Sequence, residues 1–439
     1  MIGSVRCLHD GGAHFGGRGA TALLEASELD RSDVVRAPTG CHVPEVSAIA
    51  DWLTERGLLR ASFEQLVEGF CRRLRAIDVP LWRAFVSADT LHPRIRGMGC
   101  SWREDQGLRS DVYIHRLDPP EAYLRSPFKR MLDLGLHHLR VRLDGSEPIE
   151  FPLLDELRAQ GVTDYLAQRT WFGLDGENDG RTGVLSSWAT TRPEGFSERD
   201  IAILAHLMPR LALALQARLG HDISVNLLDT YVGPEAGRRI LDGEIRRGTL
   251  DVISAVILVA DLRGFTAIAD RSERDVLVET LNDYLDCQVP AIVEHGGQVL
   301  KFLGDGLLAT LPLAGRAPEA VCDAALDAAS EVIRCIRELG EERAGSGKPV
   351  MGLDIALHLG DVFYGNVGSA DRLDFTVIGP AVNEASRIEI LCEQHDRNLL
   401  ISETFARAAT NSADRLISIG RYGLRGVRGA QSIYTLDGH

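Results

Sequence analysis

Residues 294–308 read EHGGQVLKFLGDGLL, and this stretch predicts a β-hairpin that turns at Gly304-Asp305-Gly306. Asp-Gly is a strong hairpin signal, and the flanking segments VLKFL and LLATL are apolar enough to form strands. Upstream, Asp261 ends another apolar strand in VILVADLRGFT. Two carboxylates held beside a sheet can share a pair of divalent cations, and such cations bind the phosphates of a nucleoside triphosphate. The stretch therefore predicts nucleotide chemistry, although turn formation alone would also explain Asp305.

The composition limits the class of protein. The 439 residues carry a net charge of −15, so general nucleic-acid binding through a basic surface is not expected. The most apolar segment, 201–219, is interrupted by His206, Pro209 and Arg210, and no membrane span is predicted. The N-terminus lacks a signal-peptide core, and the eight cysteines form no CxxC pair. That pattern favours buried thiols in a reducing compartment over a disulfide framework, and we expect a cytoplasmic protein.

The sequence patterns divide the chain into four segments. Residues 1–44 are rich in Gly, Asp and Arg and predict a flexible leader. Residues 45–220 alternate between helical and strand periodicity, which predicts one antiparallel sheet with covering helices. Residues 221–249 predict a helical linker, and residues 250–439 predict a second domain in which strands and helices alternate. The expected fold class is α/β in the broad sense, of the α+β kind.

Two polar residues in apolar strands are candidates for base recognition. Lys301 lies four residues before Asp305, and Thr376 lies in FTVIG. A lysine ammonium can donate to adenine N1, and a threonine hydroxyl can accept from the adenine amino group. Guanine carries a donor at N1 and an acceptor at O6, so it would leave buried polar groups without partners. The alternative is that both residues are solvent-facing strand positions.

Two further groups suit phosphate and sugar. Asn383 and Arg387 are four residues apart in the helical segment AVNEASRIE, so they share one helix face and suit negative charge developing on a phosphate. Gly264 follows Asp261 and lets backbone N–H groups approach phosphate oxygens. The alternatives are a polar surface stripe on the helix and a simple helix cap at Asp261.

Together, four motifs resemble the class III adenylate and guanylate cyclase catalytic domain, over about 185 residues from position 250. They are Asp-x-x-Gly-Phe-Thr, Gly-Gly-x-x-x-Lys-Phe-x-Gly-Asp-Gly, Asn-Val-Gly-Ser and Phe-Thr-Val-Ile-Gly-x-x-Val-Asn-x-Ala-Ser-Arg. The resemblance implies a ferredoxin-like domain in which Asp261 and Asp305 bind two Mg²⁺ or Mn²⁺ ions. It also implies that Lys301 and Thr376 select adenine.

The same resemblance assigns the remaining site residues. Asn383 and Arg387 would orient the ribose and stabilise the transition state. Substrate contacts would come from the turn residues Gly264, Phe265 and Thr266, and either Arg425 or Arg428 would hold the terminal phosphates. The implied activity is the conversion of ATP to 3′,5′-cyclic AMP and pyrophosphate. Because the sequence contains one catalytic domain, a head-to-tail homodimer with composite sites is expected.

The first half of the chain resembles a GAF-like sensor through the phrases FPLLDELRAQGVTDYLA and WATTRPEGFSERD. We hypothesise that it binds a small molecule and regulates the catalytic pair; the alternative is a plain dimerisation module.

Two other functions remain open for the whole protein. One is a guanylate cyclase, and the combination of Lys301 and Thr376 argues against it. The other is a catalytically silent, dimeric regulatory module, which retention of every predicted site residue disfavours.

Overall fold

The computed structural model describes residues 44–93, 95–115, 120–145, 149–172, 183–427 and 429–437. The leader predicted for residues 1–44 lies outside these ranges except for Pro44. The chain divides into two units, Met1–Leu227 and Leu228–His439, which we describe separately. The prediction of a mixed α/β chain whose first half is an antiparallel sheet with covering helices is confirmed.

The first unit contains a six-stranded sheet. Its strands are β1 (Arg83–Asp89), β2 (Ile95–Arg103), β3 (Gly107–Ile114), β4 (His138–Arg142), β5 (Asp164–Trp171) and β6 (Gly183–Thr190). Its helices are α1 (Pro44–Leu58), α2 (Phe63–Ala76), α3 (Glu121–Leu124), α4 (Pro127–Asp133), α5 (Pro152–Ala159) and α6 (Glu198–Val232), of which the last five residues fall in the second unit. The strand order is β3-β2-β1-β6-β5-β4, and every neighbouring pair is antiparallel.

The two faces of this sheet pack against different helices, because side chains alternate between faces along each strand. Ala84, Trp102 and Trp188 lie on one face, in a core shared with α1, α2 and α6. Tyr165 and Ala189 lie on the other face, in a core shared with α4 and α5. The result is a sheet covered on both sides, as the alternating pattern predicts.

Helix α6 begins in a network of buried charge. The Asp200 carboxylate, which is 1% exposed, accepts hydrogen bonds from the Ser197 backbone N–H at 2.8 Å and from Arg192 at 2.6 Å. Among the described residues, α6 is the helix long and apolar enough to cross a membrane. Its apolar residues Leu204, Leu207 and Leu211 are fully buried in the core of the first unit, which accounts for its hydropathy.

The second unit contains the remaining strands and helices. Its strands are β7 (Leu250–Arg263), β8 (Gln298–Leu303), β9 (Gly306–Pro312), β10 (Gly352–Gly368), β11 (Leu373–Ile378), β12 (Leu399–Ile401), β13 (Leu416–Gly423) and β14 (Ala430–Leu436). Its helices are α7 (Pro234–Leu241), α8 (Phe265–Ala269), α9 (Arg274–Glu294), α10 (Pro318–Gly345), α11 (Pro380–His395) and α12 (Glu403–Ala408), with a 3₁₀ turn at Thr410–Arg415.

A ferredoxin-like core organises this unit. Along the chain its elements follow the order β7-α9-β8-β9-α10-β10. In the sheet the four strands lie in the order β10-β7-β9-β8, so that, numbered 1 to 4 along the chain, they are arranged 4-1-3-2. Alternate residues of β7, such as Leu258 and Ala260, are buried with α9 and α10. The other face of β7, with Ile257 and Val259, shares a core with α11 residue Ala385. The side chain of Asp261, which follows the same alternation as Ile257 and Val259, therefore lies on the α11 side of the sheet.

The interpretation of the cysteines as free thiols is wrong for one pair. Cys287 on α9 and Cys335 on α10 form a disulfide, with their Cα atoms 5.6 Å apart. The two helices pack side by side over the sheet, and this tertiary contact joins positions 48 residues apart, which sequence spacing alone could not reveal. The other described cysteines are free and buried: Cys71, Cys100, Cys322 and Cys392.

We expect this crosslink to stabilise the second unit. Replacing Cys335 by Ser should lower the free energy of unfolding by about 2–4 kcal/mol under oxidising conditions, because the reduced chain has more conformational freedom when unfolded. Thermal denaturation with and without dithiothreitol measures the effect. The reductant should destabilise the wild-type chain and leave Cys335→Ser unchanged; equal responses would argue against the disulfide.

Candidate functional site

Asp261 and Asp305 are brought close together by the pairing of three strands. Strand β7 pairs with β9 through Ala260 and Leu307, and β9 turns into β8 between Gly306 and Leu303. Asp305 occupies that turn, directly beside the end of β7. Gly306 allows the approach, because a Cβ at this position would lie only 2.7 Å from Asp261 Oδ1. The missing side chain therefore leaves room for two carboxylates at one corner of the sheet.

The electrostatics of this corner favour a bound cation. Burial, followed by the charges of Asp305 and Asp354, raises the pKa of Asp261 to about 6. Glu389 on α11 faces the same negative charges, and burial together with them raises its pKa to about 7. Among the described residues, no lysine or arginine forms an ion pair with Asp261 or Asp305. Carboxylate oxygens with uncompensated charge are suitable ligands for Mg²⁺ or Mn²⁺.

Asp354 is a neighbour of the site that sequence reasoning missed. It lies directly opposite Asp261 in the β7–β10 ladder and is 5% exposed. Arg263, two residues after Asp261 on the same strand face, donates to both Asp354 carboxylate oxygens and reaches Asp396 at 3.3 Å. Asp354 therefore has an arginine partner, whereas Asp261 and Asp305 form no ion pair with a described lysine or arginine. The i, i+2 spacing of Asp261 and Arg263 was the available signal for this arrangement.

The two residues predicted to read the base lie on strands that are not paired with each other, since β8 pairs with β9 and β11 pairs with β10. Lys301 Nζ on β8 is 3.6 Å from Asp374 Oδ2 on β11, and Thr376 is two residues further along β11. Thr376 is 3% exposed, yet its hydroxyl has no hydrogen-bond partner among the described residues. Buried polar atoms are normally satisfied, so this hydroxyl is available to a ligand. Asp374 was not predicted, and it is the partner that holds Lys301 here.

Asn383 and Arg387 lie on the first turns of α11, which begins at Pro380 after Gly379. Their side chains form no hydrogen bond or ion pair with any described residue. The loop after β13 passes beside Arg387: a Cβ on Gly426 would lie 3.5 Å from Arg387 Nη2. An arginine and an amide without protein partners, one helical turn apart, can both contact the same anionic ligand.

The other predicted substrate contacts are placed as follows. Gly264 adopts a left-handed conformation (φ +88°) immediately before α8, so Phe265 and Thr266 form the first turn of that helix, close in sequence to Asp261. Arg425 precedes Gly426 in the loop beside Arg387. Arg428 lies outside the described residues.

The predicted site residues fall into two groups within one chain. No hydrogen bond or ion pair between described residues joins Asp261 and Asp305 to Lys301 and Thr376, or to Asn383 and Arg387 on α11.

The position and order of these residues correspond to a known family. Residues 251–438 match the family model described as adenylate and guanylate cyclase catalytic domain. This part of the chain is a class III cyclase domain. The match covers the second unit from the first residues of β7 to the end of β14, and it confirms the resemblance inferred from the four motifs.

Curated relatives share the cyclase domain. An adenylate cyclase of Anabaena cylindrica is 36% identical over 167 residues, which is 37% of this chain and 32% of the relative. The terminal-differentiation-specific adenylate cyclase of Dictyostelium discoideum is 30% identical over 190 residues, 42% of this chain and 9% of the relative. The chain therefore spans a third or less of the length of these relatives.

Solved structures show the same pattern of coverage. The guanylyl cyclase Cya2 is 29% identical and aligns with a TM-score of 0.38, over 43% of this chain and 93% of that one. The adenylyl cyclase CyaB from P. aeruginosa is 24% identical, with a TM-score of 0.38 over 43% of this chain and 95% of that one. Both kinds of cyclase therefore occur among the similar structures.

The raised pKa of Asp261 leads to a stability prediction for the metal-free cyclase domain. A folded-state pKa above the unfolded value means that the ionised carboxylate opposes folding, and that this cost appears as pH rises from about 4 to about 6. Asp261→Asn should therefore raise the free energy of unfolding by about 1–2 kcal/mol at pH 8 and have little effect near pH 4.

Urea denaturation in the presence of a chelator measures this difference. Asp275→Asn is the matched control, because Asp275 is an exposed aspartate on α9, 88% accessible at its side chain. A loss of stability for Asp261→Asn at pH 8 would contradict the uncompensated charge inferred for this corner.

Proposed function

We propose that this protein is an adenylate cyclase that converts ATP to 3′,5′-cyclic AMP and pyrophosphate. The proposal rests on the presence of two residue pairs in one domain. Asp261 and Asp305 form a carboxylate corner without a cationic partner among the described residues. Lys301 and the Thr376 hydroxyl, which has no hydrogen-bond partner among those residues, suit a purine base. Two divalent cations bound at that corner would lower the pKa of the ribose 3′-hydroxyl and offset charge on the triphosphate.

The two residues predicted to read the base favour ATP over GTP as the substrate. Lys301 is a donor with no acceptor capacity, so it complements adenine N1 and would meet the N1–H donor of guanine. Thr376 can accept from the adenine amino group in a buried position, where an unmade hydrogen bond is costly. The curated relatives named adenylate cyclases agree with this choice, whereas the guanylyl cyclase among the similar structures keeps GTP as the second candidate.

The remaining residues position the reacting atoms. Asn383 would hold the ribose so that its 3′-oxygen faces the α-phosphate, and Arg387 would stabilise charge that develops there during in-line attack. Arg425, beside the same loop, would hold the terminal phosphates that leave as pyrophosphate, with Arg428 as the other candidate. The backbone of the turn 264–266 would contact phosphate oxygens. Positioning and charge stabilisation supply most of the rate in phosphoryl transfer of this kind.

A homodimer would complete the site. The strand face that carries Thr376 also presents Phe363 on β10 and Ile378 on β11, which lie opposite each other and are 42% and 40% exposed. Near Lys301, Phe302 and Leu303 on β8 are 52% and 50% exposed. Neighbouring exposed apolar side chains are typical of interaction surfaces. We infer that a second copy covers this face, so that the acids of one chain meet the base-reading and helix residues of its partner.

The first unit would then act as a GAF-like sensor in front of the cyclase domain. Its six-stranded antiparallel sheet with helices on both faces supports this proposal, and residues 221–249 would be the connection between sensor and catalytic domain. The cytoplasmic location remains a prediction from composition.

Competition between substrates tests the proposed activity. The purified chain is supplied with equal concentrations of ATP and GTP together with Mn²⁺, and the cyclic products are separated by chromatography. We expect cyclic AMP to exceed cyclic GMP by at least about tenfold, because one mismatched buried hydrogen bond is worth roughly 1–3 kcal/mol. An excess of cyclic GMP would establish the guanylate cyclase alternative, and the absence of both products would favour a silent regulatory module.

A further inference from the structure

Arg83, the first residue of β1, is a partly buried arginine whose guanidinium has no hydrogen-bond or ion-pair partner in the part of the chain that the structure describes. It lies on the sheet face of the first unit that packs against α4 and α5. No hydrogen bond or ion pair reaches its guanidinium from any described residue, although neighbouring arginines on this sheet, such as Arg103 and Arg140, are paired with carboxylates. Removing an arginine from water without a compensating anion is costly, so such a residue calls for a functional explanation.

A second unsatisfied group lies in the same cross-sheet row. Arg83 is directly opposite Ala189 on β6, and Ala189 is directly opposite Tyr165 on β5. Directly opposed residues project from the same face of a sheet, so Arg83, the small Ala189 and Tyr165 share one face. Tyr165 is fully buried, and its hydroxyl makes no hydrogen bond of normal geometry to the described residues, although the Ser187 hydroxyl on β6 is close enough to lower its pKa.

Two aromatic side chains, Phe85 and Tyr113, lie on the same sheet face as this row. The Tyr113 ring lies over Gly99: a Cβ at Gly99 would be 2.9 Å from Tyr113 Cε2 and 3.3 Å from Phe85 Cε2. Phe85 packs against Phe128 of α4, with ring centroids 5.9 Å apart. The glycine therefore lets an aromatic ring approach the sheet, on the same face as the arginine and the buried phenol.

The pKa shifts of these groups are dominated by burial. Burial lowers the pKa of Arg83 against the opposing influence of Tyr165, and the nearby positive charge of Arg103 acts in the same direction as burial. Burial likewise raises the pKa of Tyr165 to about 12, so its hydroxyl remains protonated and available as a donor. A bound anion would satisfy both groups at once.

We propose that Arg83 and the Tyr165 hydroxyl form a binding site in the first unit for a small organic monocarboxylate with an aromatic or aliphatic body. The guanidinium fork matches a carboxylate in a bidentate geometry. A single arginine balances one negative charge, which favours a monoanion over a doubly charged phosphate. The flanking rings of Phe85 and Tyr113 suit an apolar body. This inference specifies the ligand of the sensor proposed above and does not depend on the cyclisation reaction.

The first test needs no ligand. Arg83→Met keeps the apolar stem and removes the charge, so the full-length chain in an anion-poor buffer should melt about 2–4 °C higher than wild type. Arg72→Met is the control, because Arg72 is a surface arginine of the same unit, 71% exposed at its side chain, and its replacement should have little effect. A lower melting temperature for Arg83→Met would show that the guanidinium is structurally satisfied and would overturn the proposal.

The second test uses benzoate as the probe, with benzyl alcohol and inorganic phosphate as comparisons, by calorimetry on the full-length chain without nucleotide. Benzoate should bind wild type, benzyl alcohol should not, and Arg83→Met should weaken benzoate by at least about tenfold. Tyr165→Phe should weaken it several-fold, and Arg83→Lys should retain part of the affinity. Absence of benzoate binding, equal binding by wild type and Arg83→Met, or tighter binding of phosphate would overturn the proposal. A chain that fails to make cyclic AMP can still pass this test.

Discussion

Asp305→Ala and Arg387→Ala should each lose at least about 10²–10³-fold in cyclase activity, and an equal mixture of the two should recover about a quarter of the wild-type rate. Each variant alone lacks one essential group in both sites of its homodimer. In a heterodimer, one site receives Asp305 from one chain and Arg387 from the other, whereas the second site lacks both. Half of the randomly assembled dimers would be heterodimers with one of two sites intact, which gives the quarter.

A mixture of Asp261→Ala with Asp305→Ala is the matched control. Both acids belong to the same corner of the same chain, so no exchange of subunits can rebuild that corner. This mixture should stay as inactive as its components. Recovery in the control, or no recovery in the first mixture after subunit exchange, would contradict the shared site.

Lys301→Met should reduce kcat/KM for ATP by about 10- to 100-fold and bring the ratio of ATP to GTP turnover close to one. The methionine keeps the length of the side chain but removes the donor to adenine N1, and it leaves Asp374 without its cation. Guanine loses an unfavourable neighbour at the same time, so the rate with GTP should fall less. The measurement is steady-state kinetics with each nucleotide separately.

Lys348→Met controls for the loss of a lysine. Lys348 is an exposed lysine of the cyclase domain that pairs with Glu279 at 2.8 Å and is not among the predicted substrate contacts. It should leave both the rate and the nucleotide ratio unchanged. If Lys301→Met lowered ATP and GTP turnover equally, Lys301 would support the fold or the phosphates without reading the base.

Local sequence signals were sufficient for much of the cyclase domain. The Gly304-Asp305-Gly306 turn between two apolar strands predicts the β8–β9 hairpin, which the structure contains. The proximity of Asp305 to Asp261 also follows from strand ends meeting at one side of a sheet. The roles of the individual residues rest on the family resemblance and stay predictions until the variants are measured.

The features that sequence reasoning missed depend on pairing between distant strands and helices. Asp354 faces Asp261 because of the β7–β10 register, and Asp374 meets Lys301 because β11 and β8 come together. The spacing of Asp261 and Arg263 hints at an acidic neighbour, but nothing local in the chain identifies Asp354 or Asp374 as the residue in contact. The disulfide between Cys287 and Cys335 and the Arg83–Tyr165 row have the same origin, since each depends on elements that become neighbours only after folding.

The most direct test of the central claim is the identity of the product. The purified chain is incubated with ATP and Mn²⁺, the cyclic nucleotide is identified by mass spectrometry and NMR, and pyrophosphate is quantified in parallel, with the double variant Asp261→Asn/Asp305→Asn as the blank. The account predicts 3′,5′-cyclic AMP and pyrophosphate in equal amounts from the wild-type chain and neither from the blank. Hydrolysis of ATP to ADP without a cyclic product, or equal product from the blank, would contradict it.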